Sequence, residues 1–84
     1  MITSSQLRAA RALLKWSANE LASKSGIGSA TIQRYEVVDG VPNANIKTLT
    51  AIKVALEKAG VEFIGTPEHD PGVRLLTRSQ GENE

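Results

Sequence analysis

The chain has no cysteine, which removes disulfide staples and thiolate metal sites together. It has one histidine, His69, and a lone histidine without cysteine cannot build a zinc site of the usual kind. Aromatic residues are down to Trp16, Tyr35 and Phe63. No apolar run approaches the ~20 residues that span a bilayer. The start, Met1-Ile2-Thr3-Ser4-Ser5, lacks the basic and apolar blocks of a secretory signal. A soluble, cytoplasmic protein with no membrane association, metal or cofactor is the expectation. Glu68-His69-Asp70 sits between Pro67 and Pro71 with no apolar wall to perturb a pKa, and reads as a solvated turn. The glycines match no phosphate-cradling loop. With no positioned acid, base or nucleophile, an enzyme is not expected.

What is present is compact and asymmetric. Eighty-four residues make one domain, near the lower end of what folds without staples. Residues 1–58 hold eight basic side chains against four acidic ones, whereas residues 59–84 hold two against five. A basic body with an acidic end suits a body that meets phosphate.

The stretch 17–36, S-A-N-E-L-A-S-K-S-G-I-G-S-A-T-I-Q-R-Y-E, organises the rest. Ser17 and Glu20 form an S-x-x-E capping box at the start of one helix. Gly26 ends that helix, where only glycine takes a left-handed conformation cheaply. Ile27 plugs the turn, Gly28 or Ser29 caps a second helix over 29–37, and Ile32 with Tyr35 forms its buried stripe. Ala22 is small where two helices must cross. Two short helices about a glycine turn make a helix-turn-helix signature.

This segment resembles the helix-turn-helix of the phage lambda repressor and Cro-like group, the XRE family. The matching positions are Leu21, Ala22, Gly26, Ile27, Thr31, Ile32 and Glu36, with Arg11 upstream and Leu49 downstream. The wider chain, about residues 5–64, resembles short bacterial members of that group. The resemblance implies that the second helix enters the major groove of double-stranded DNA. It implies base contacts from Ser29, Ala30 and Arg34, with Gln33 beside them, and a phosphate contact from Thr31. Arg34 suits guanine, Gln33 adenine, and the Ala30 methyl thymine. Ala18 stands where many relatives place a glutamine on phosphate, and Asn19 can replace it. Lys24 and Lys47 complete the expected phosphate contacts. Arg11 and Glu36 match positions that commonly pair between the first helix and the end of the third.

Around this motif, Ser4 or Ser5 is expected to start a first helix reaching Lys15, with Leu7, Ala10 and Leu14 on its inner face. Trp16 covers the edge of the core at the bend. Residues 37–45 read as a loop broken by Asp39-Gly40 and Pro42-Asn43. It carries Val37, Val38 and Val41 and no base before Lys47, so it is expected to pack on protein. A fourth helix is expected over 46–59, capped by Asn45 or Asn43, with Ile46, Leu49, Ile52 and Leu56 inward. Residues 61–64 and 73–76 read as a hairpin joined by a loop over 65–72. The expected fold is therefore mostly α, a four-helix lambda-repressor-like domain with a C-terminal β-hairpin over 1–76. Residues 77–84 have nothing to bury and are expected to be disordered.

Specific DNA binding exceeds non-specific binding by ~4–10 kcal/mol, and one bidentate base contact discriminates by ~1–3 kcal/mol. One or two such residues per chain call for a homodimer, with the hairpin as its expected contact. Two functions stay open. One is a transcriptional regulator; the other is an antitoxin-type module that binds a toxin partner as well as its own promoter, using the valine-bearing loop and the hairpin.

Overall fold

Helix α1 (Ser4–Leu14) begins one residue after its cap, Thr3. The computed structural model describes residues 1–76, so the expected disordered tail lies outside the described residues. The Thr3 hydroxyl accepts from the Gln6 N–H at 3.0 Å and Gln6 Oε1 accepts from the Thr3 N–H at 2.9 Å. This T-x-x-Q box satisfies two donors at once. It leaves Ser4, the first residue of the helix as expected, free for a different bond. At the far end Lys15 turns left-handed (φ 58°) and stops the helix.

Helix α2 (Ala18–Ser25) opens on the Ser17–Glu20 box and closes at Gly26 (φ 76°). Helix α3 (Ser29–Glu36) follows with Gly28 as its cap, one residue shorter than the expected 29–37. Helix α4 (Ile46–Lys58) is capped by Asn45, whose Oδ1 accepts from the Lys47 N–H at 2.8 Å. Leu7, Ala10, Leu21, Ile32, Ile52 and Leu56 are fully buried at the centre of the four helices. Burying one such leucine or isoleucine is worth ~1.5–3 kcal/mol. Ile27 and Trp16 pack on the same core as partly buried covers.

Two expectations need correction. Ile46 was expected inward but is 66% exposed. At ~100° per residue it stands roughly a quarter turn off the Leu49–Ile52–Leu56 stripe. The hairpin is also longer than its apolar segments. Strand β1 (Val61–Thr66) pairs antiparallel with β2 (His69–Leu75), leaving only Pro67-Glu68 as the turn. His69 and Asp70 thus lie in a strand, not in a loop. Pro71 is tolerated because a two-stranded hairpin consists of edges alone. Gly65 (φ 74°) takes the register irregularity, and a Cβ there would meet the Asp70 carbonyl oxygen at 2.2 Å.

Val61 pairs with Leu75 and Phe63 with Val73, so these four side chains share the face that packs on the core. The Gln6 amide donates to the carbonyls of Ile64 (3.2 Å) and Gly72 (3.0 Å) and ties the hairpin to α1. Two strands alone are marginal in water; α1 and α4 supply the missing surface. On the outer face Arg74 and Glu62 pair at 2.6 Å. Among the described residues no helix is long and apolar enough to cross a membrane.

Candidate nucleic-acid interface

The turn between α2 and α3 is three residues long, and each has a local reason. Gly26 supplies the left-handed step, the Ile27 N–H donates to the Ser25 hydroxyl at 3.2 Å, and Gly28 leads into α3. Ile32 and Tyr35 face the core, which turns Ala30, Gln33 and Arg34 outward. These positions recur at helical spacing, and Val37, 80% exposed, continues the row. Sequence reading ended the helix at Val37 but counted it with the loop expected to pack on protein, not with this row. The same i, i+3, i+4, i+7 count that found the others would have found it.

The two ends of α3 are held differently. Gly28 makes no side-chain cap bond, so no cap side chain takes the first N–H groups of α3, beside the half-buried Ser29. Uncapped helix N-termini carry partial positive charge suited to anions. At the other end three residues of α1 reach across. Ser4 Oγ donates to the Tyr35 carbonyl at 2.6 Å, and the Arg8 guanidinium donates to the Glu36 carbonyl. Arg11 then grips the Glu36 carboxylate with two parallel bonds, Nε to Oε2 at 2.7 Å and Nη2 to Oε1 at 2.8 Å. Its remaining Nη1 donates to the Trp16 carbonyl at 2.8 Å.

The side chain of Glu36 is 8% exposed and that of Arg11 24%. Hydrogen bonding to Glu36 is the main reason that the Arg11 pKa is raised, and burial opposes it. A two-pronged charge pair at such depth fixes orientation as well as distance. Sequence reading anticipated this pair and missed Ser4 and Arg8, because a side chain that bonds a distant carbonyl leaves no periodic trace.

The other candidate residues fall in three places. Asn19 is exposed in the first turn of α2 and Thr31 half-buried on α3. Lys47 is exposed in the first turn of α4. Lys24 follows near the end of α2, with its Nζ 5.9 Å from the Trp16 ring centroid. It lines a groove shared with Lys47 and Lys58, to which α3 contributes nothing. The loop between α3 and α4 is split. Val41 and Ala44 pack inward and the Gly40 carbonyl accepts from the Ser4 N–H at 2.8 Å, while Val37 and Val38 stay outside. Arg34 lies over the Tyr35 ring at 5.6 Å, a contact worth ~0.5–1 kcal/mol at an exposed site. Among the described residues no group of three histidine, aspartate or glutamate side chains could hold a metal, and His69 is exposed on β2.

Two short helices crossing at a glycine turn, with an exposed outward row on the second, define a helix-turn-helix protein. The family model described as Helix-turn-helix matches residues 7–58, and the chain belongs to that family, the lambda repressor-like (XRE) group of DNA-binding regulators. No curated protein gives a significant match to the chain.

Proposed function

We propose that the protein is a sequence-specific transcriptional regulator that reads DNA as two copies, each placing α3 in the major groove. The observation that carries this reading is the outward row on α3, standing on a helix whose far end is clamped to α1. At eight residues and ~1.5 Å each, α3 is ~12 Å long, close to the ~12 Å width of the groove. Ser29, Ala30, Gln33 and Arg34 meet base edges. Asn19, Thr31 and Lys47 meet phosphates, and Lys47 so placed is compensated for lying in the first turn, where the helix dipole disfavours a cation. Half-sites about one helical turn apart then double the discrimination each copy supplies.

The test is a mobility-shift titration against the DNA upstream of the protein's own gene, at two salt concentrations, with scrambled DNA as control. A retained preference for the upstream DNA at the higher salt supports the reading. Equal affinity for both DNAs at both salts overturns it.

A second reading has one observation in its favour. Val37 and Val38 leave uncovered apolar surface at the end of α3, which a protein partner would bury. An antitoxin uses such a surface on its toxin, and a toxin gene beside this one would select that reading.

A further inference from the structure

A groove of about 470 Å³ runs along α4 beside α2. Ile46, Ala51 and Val54 supply its apolar surface, and Lys24, Lys47 and Lys58 rim it. It continues past Ala55 to Trp16 and Ala59. Among the described residues no carboxylate lines either part, and none of the three lysines joins a salt bridge. Lys47 and Lys58 stand eleven residues apart on α4, so they lie on one side of the helix, ~16 Å from end to end. The groove is cationic at its rim and apolar at its base.

The hairpin has the opposite character. Its outer face and turn present Ile64, Pro67, Glu68, Asp70 and Pro71, all exposed except the half-buried Pro67. Arg74, the one arginine or lysine between residues 59 and 76, is already taken by Glu62. Glu68 and Asp70 join no salt bridge among the described residues. One chain thus carries two exposed surfaces, apolar-with-lysine and apolar-with-carboxylate.

We propose that the hairpin tip of one copy docks in the lysine-rimmed groove of a second. Glu68 and Asp70 meet Lys24 and Lys58, and Ile64 with the two prolines covers the apolar base. Reciprocal exchange of the two tips closes a two-fold dimer. Groove-to-groove pairing would set lysine against lysine, and phosphate has nothing to lay on Val54 and Ala51. The inner hairpin face is not offered to a partner, because Phe63, Val73 and Leu75 pack against their own core. The proposal deepens the two-copy reading above and rests on it for the number of copies.

The experiment is sedimentation of the full chain over a concentration and salt series. It compares wild type, Lys58→Glu, Glu68→Lys and the double variant Lys58→Glu/Glu68→Lys. Both side chains are exposed, and circular dichroism melts verify folding. Each single reversal is expected to weaken dimerisation at least ~10-fold, and the double variant to recover most of that loss by rebuilding the pair with its signs exchanged. Raising salt is expected to weaken the wild-type dimer. Single variants that dimerise like wild type overturn the docking site and leave the two-copy reading standing. So does a double variant no better than the singles. A wild type that stays monomeric throughout, free and on DNA, overturns both and leaves the groove to an acidic segment of another protein. Loss of DNA affinity in Lys58→Glu with an intact dimer would reassign the groove to phosphate.

Discussion

The two ends of α3 differ as a clamp differs from an open hand. At the C-terminal end, Ser4, Arg8 and Arg11 satisfy the Tyr35 carbonyl and both the carbonyl and the carboxylate of Glu36. At the N-terminal end, Gly28 offers no side-chain cap, and from there the exposed side of the helix carries Ala30, Gln33 and Arg34 outward, Arg34 already in the last turn. Stability is concentrated where the helix meets its neighbour, and unspent hydrogen-bonding capacity where it does not. A reader of base edges needs both, since donors on a loosely held helix lose ordering entropy when they bind.

The largest effect should come from breaking the clamp. Glu36→Ala leaves the Arg11 guanidinium without its carboxylate partner and should cost about 3 kcal/mol, toward the lower end of values for severed buried pairs because Arg11 keeps some solvent. Equilibrium urea unfolding measures it, and a variant with the wild-type midpoint would show that the pair does not hold α3. Next comes the outward row. Arg34→Ala should cost no more stability than its contact with the Tyr35 ring, ~0.5–1 kcal/mol, yet weaken operator binding by ~1–3 kcal/mol and relax preference at one base pair per half-site. Equal losses on operator and scrambled DNA would deny Arg34 a base contact.

A smaller effect is expected for Ser4→Ala. The Tyr35 carbonyl would lose its buried donor, at about 1 kcal/mol, again read by unfolding. Lys47→Ala should weaken operator and scrambled DNA alike and make the salt dependence shallower by about one unit of slope; an unchanged slope would remove Lys47 from the phosphate set. The smallest change sharpens the comparison most. Gly28→Asp has open space for its side chain and should cap α3, raising stability by a few tenths of a kcal/mol. The same carboxylate would occupy the end offered to DNA and lower affinity. If both quantities rise together, the open end of α3 does not face phosphate.

Much of the fold was legible because its signals are local. The Ser17–Glu20 box, Gly26 and the Ile32–Tyr35 spacing each act within a few residues, and each appears where the sequence puts it. The Thr3–Gln6 box follows the same rule and could have been read the same way. Ile46 misled because an apolar residue at the mouth of a helix satisfies a loose count of three and four, while the stripe itself had drifted past it. The hairpin misled differently. Pro71, Gly72 and Asp70 are turn formers in isolation, yet they extend β2 because Gly65 absorbs the irregularity opposite them and Gln6 holds the strand carbonyls from α1.

By itself the sequence determined four helices, their caps, the glycine turn and the outward row on α3, since each depends on dihedral preferences and periodicity over less than two turns. It also placed Arg11 and Glu36 at positions where a pair was expected. Only the tertiary structure decided that Ser4 and Arg8 join that pair on the end of α3, that the hairpin's apolar face is spent on its own core, and that three lysines from two helices gather around one groove. Those arrangements depend on side chains 11 to 66 residues apart. Contacts over such separations arise from the packing of whole elements, which no local pattern records.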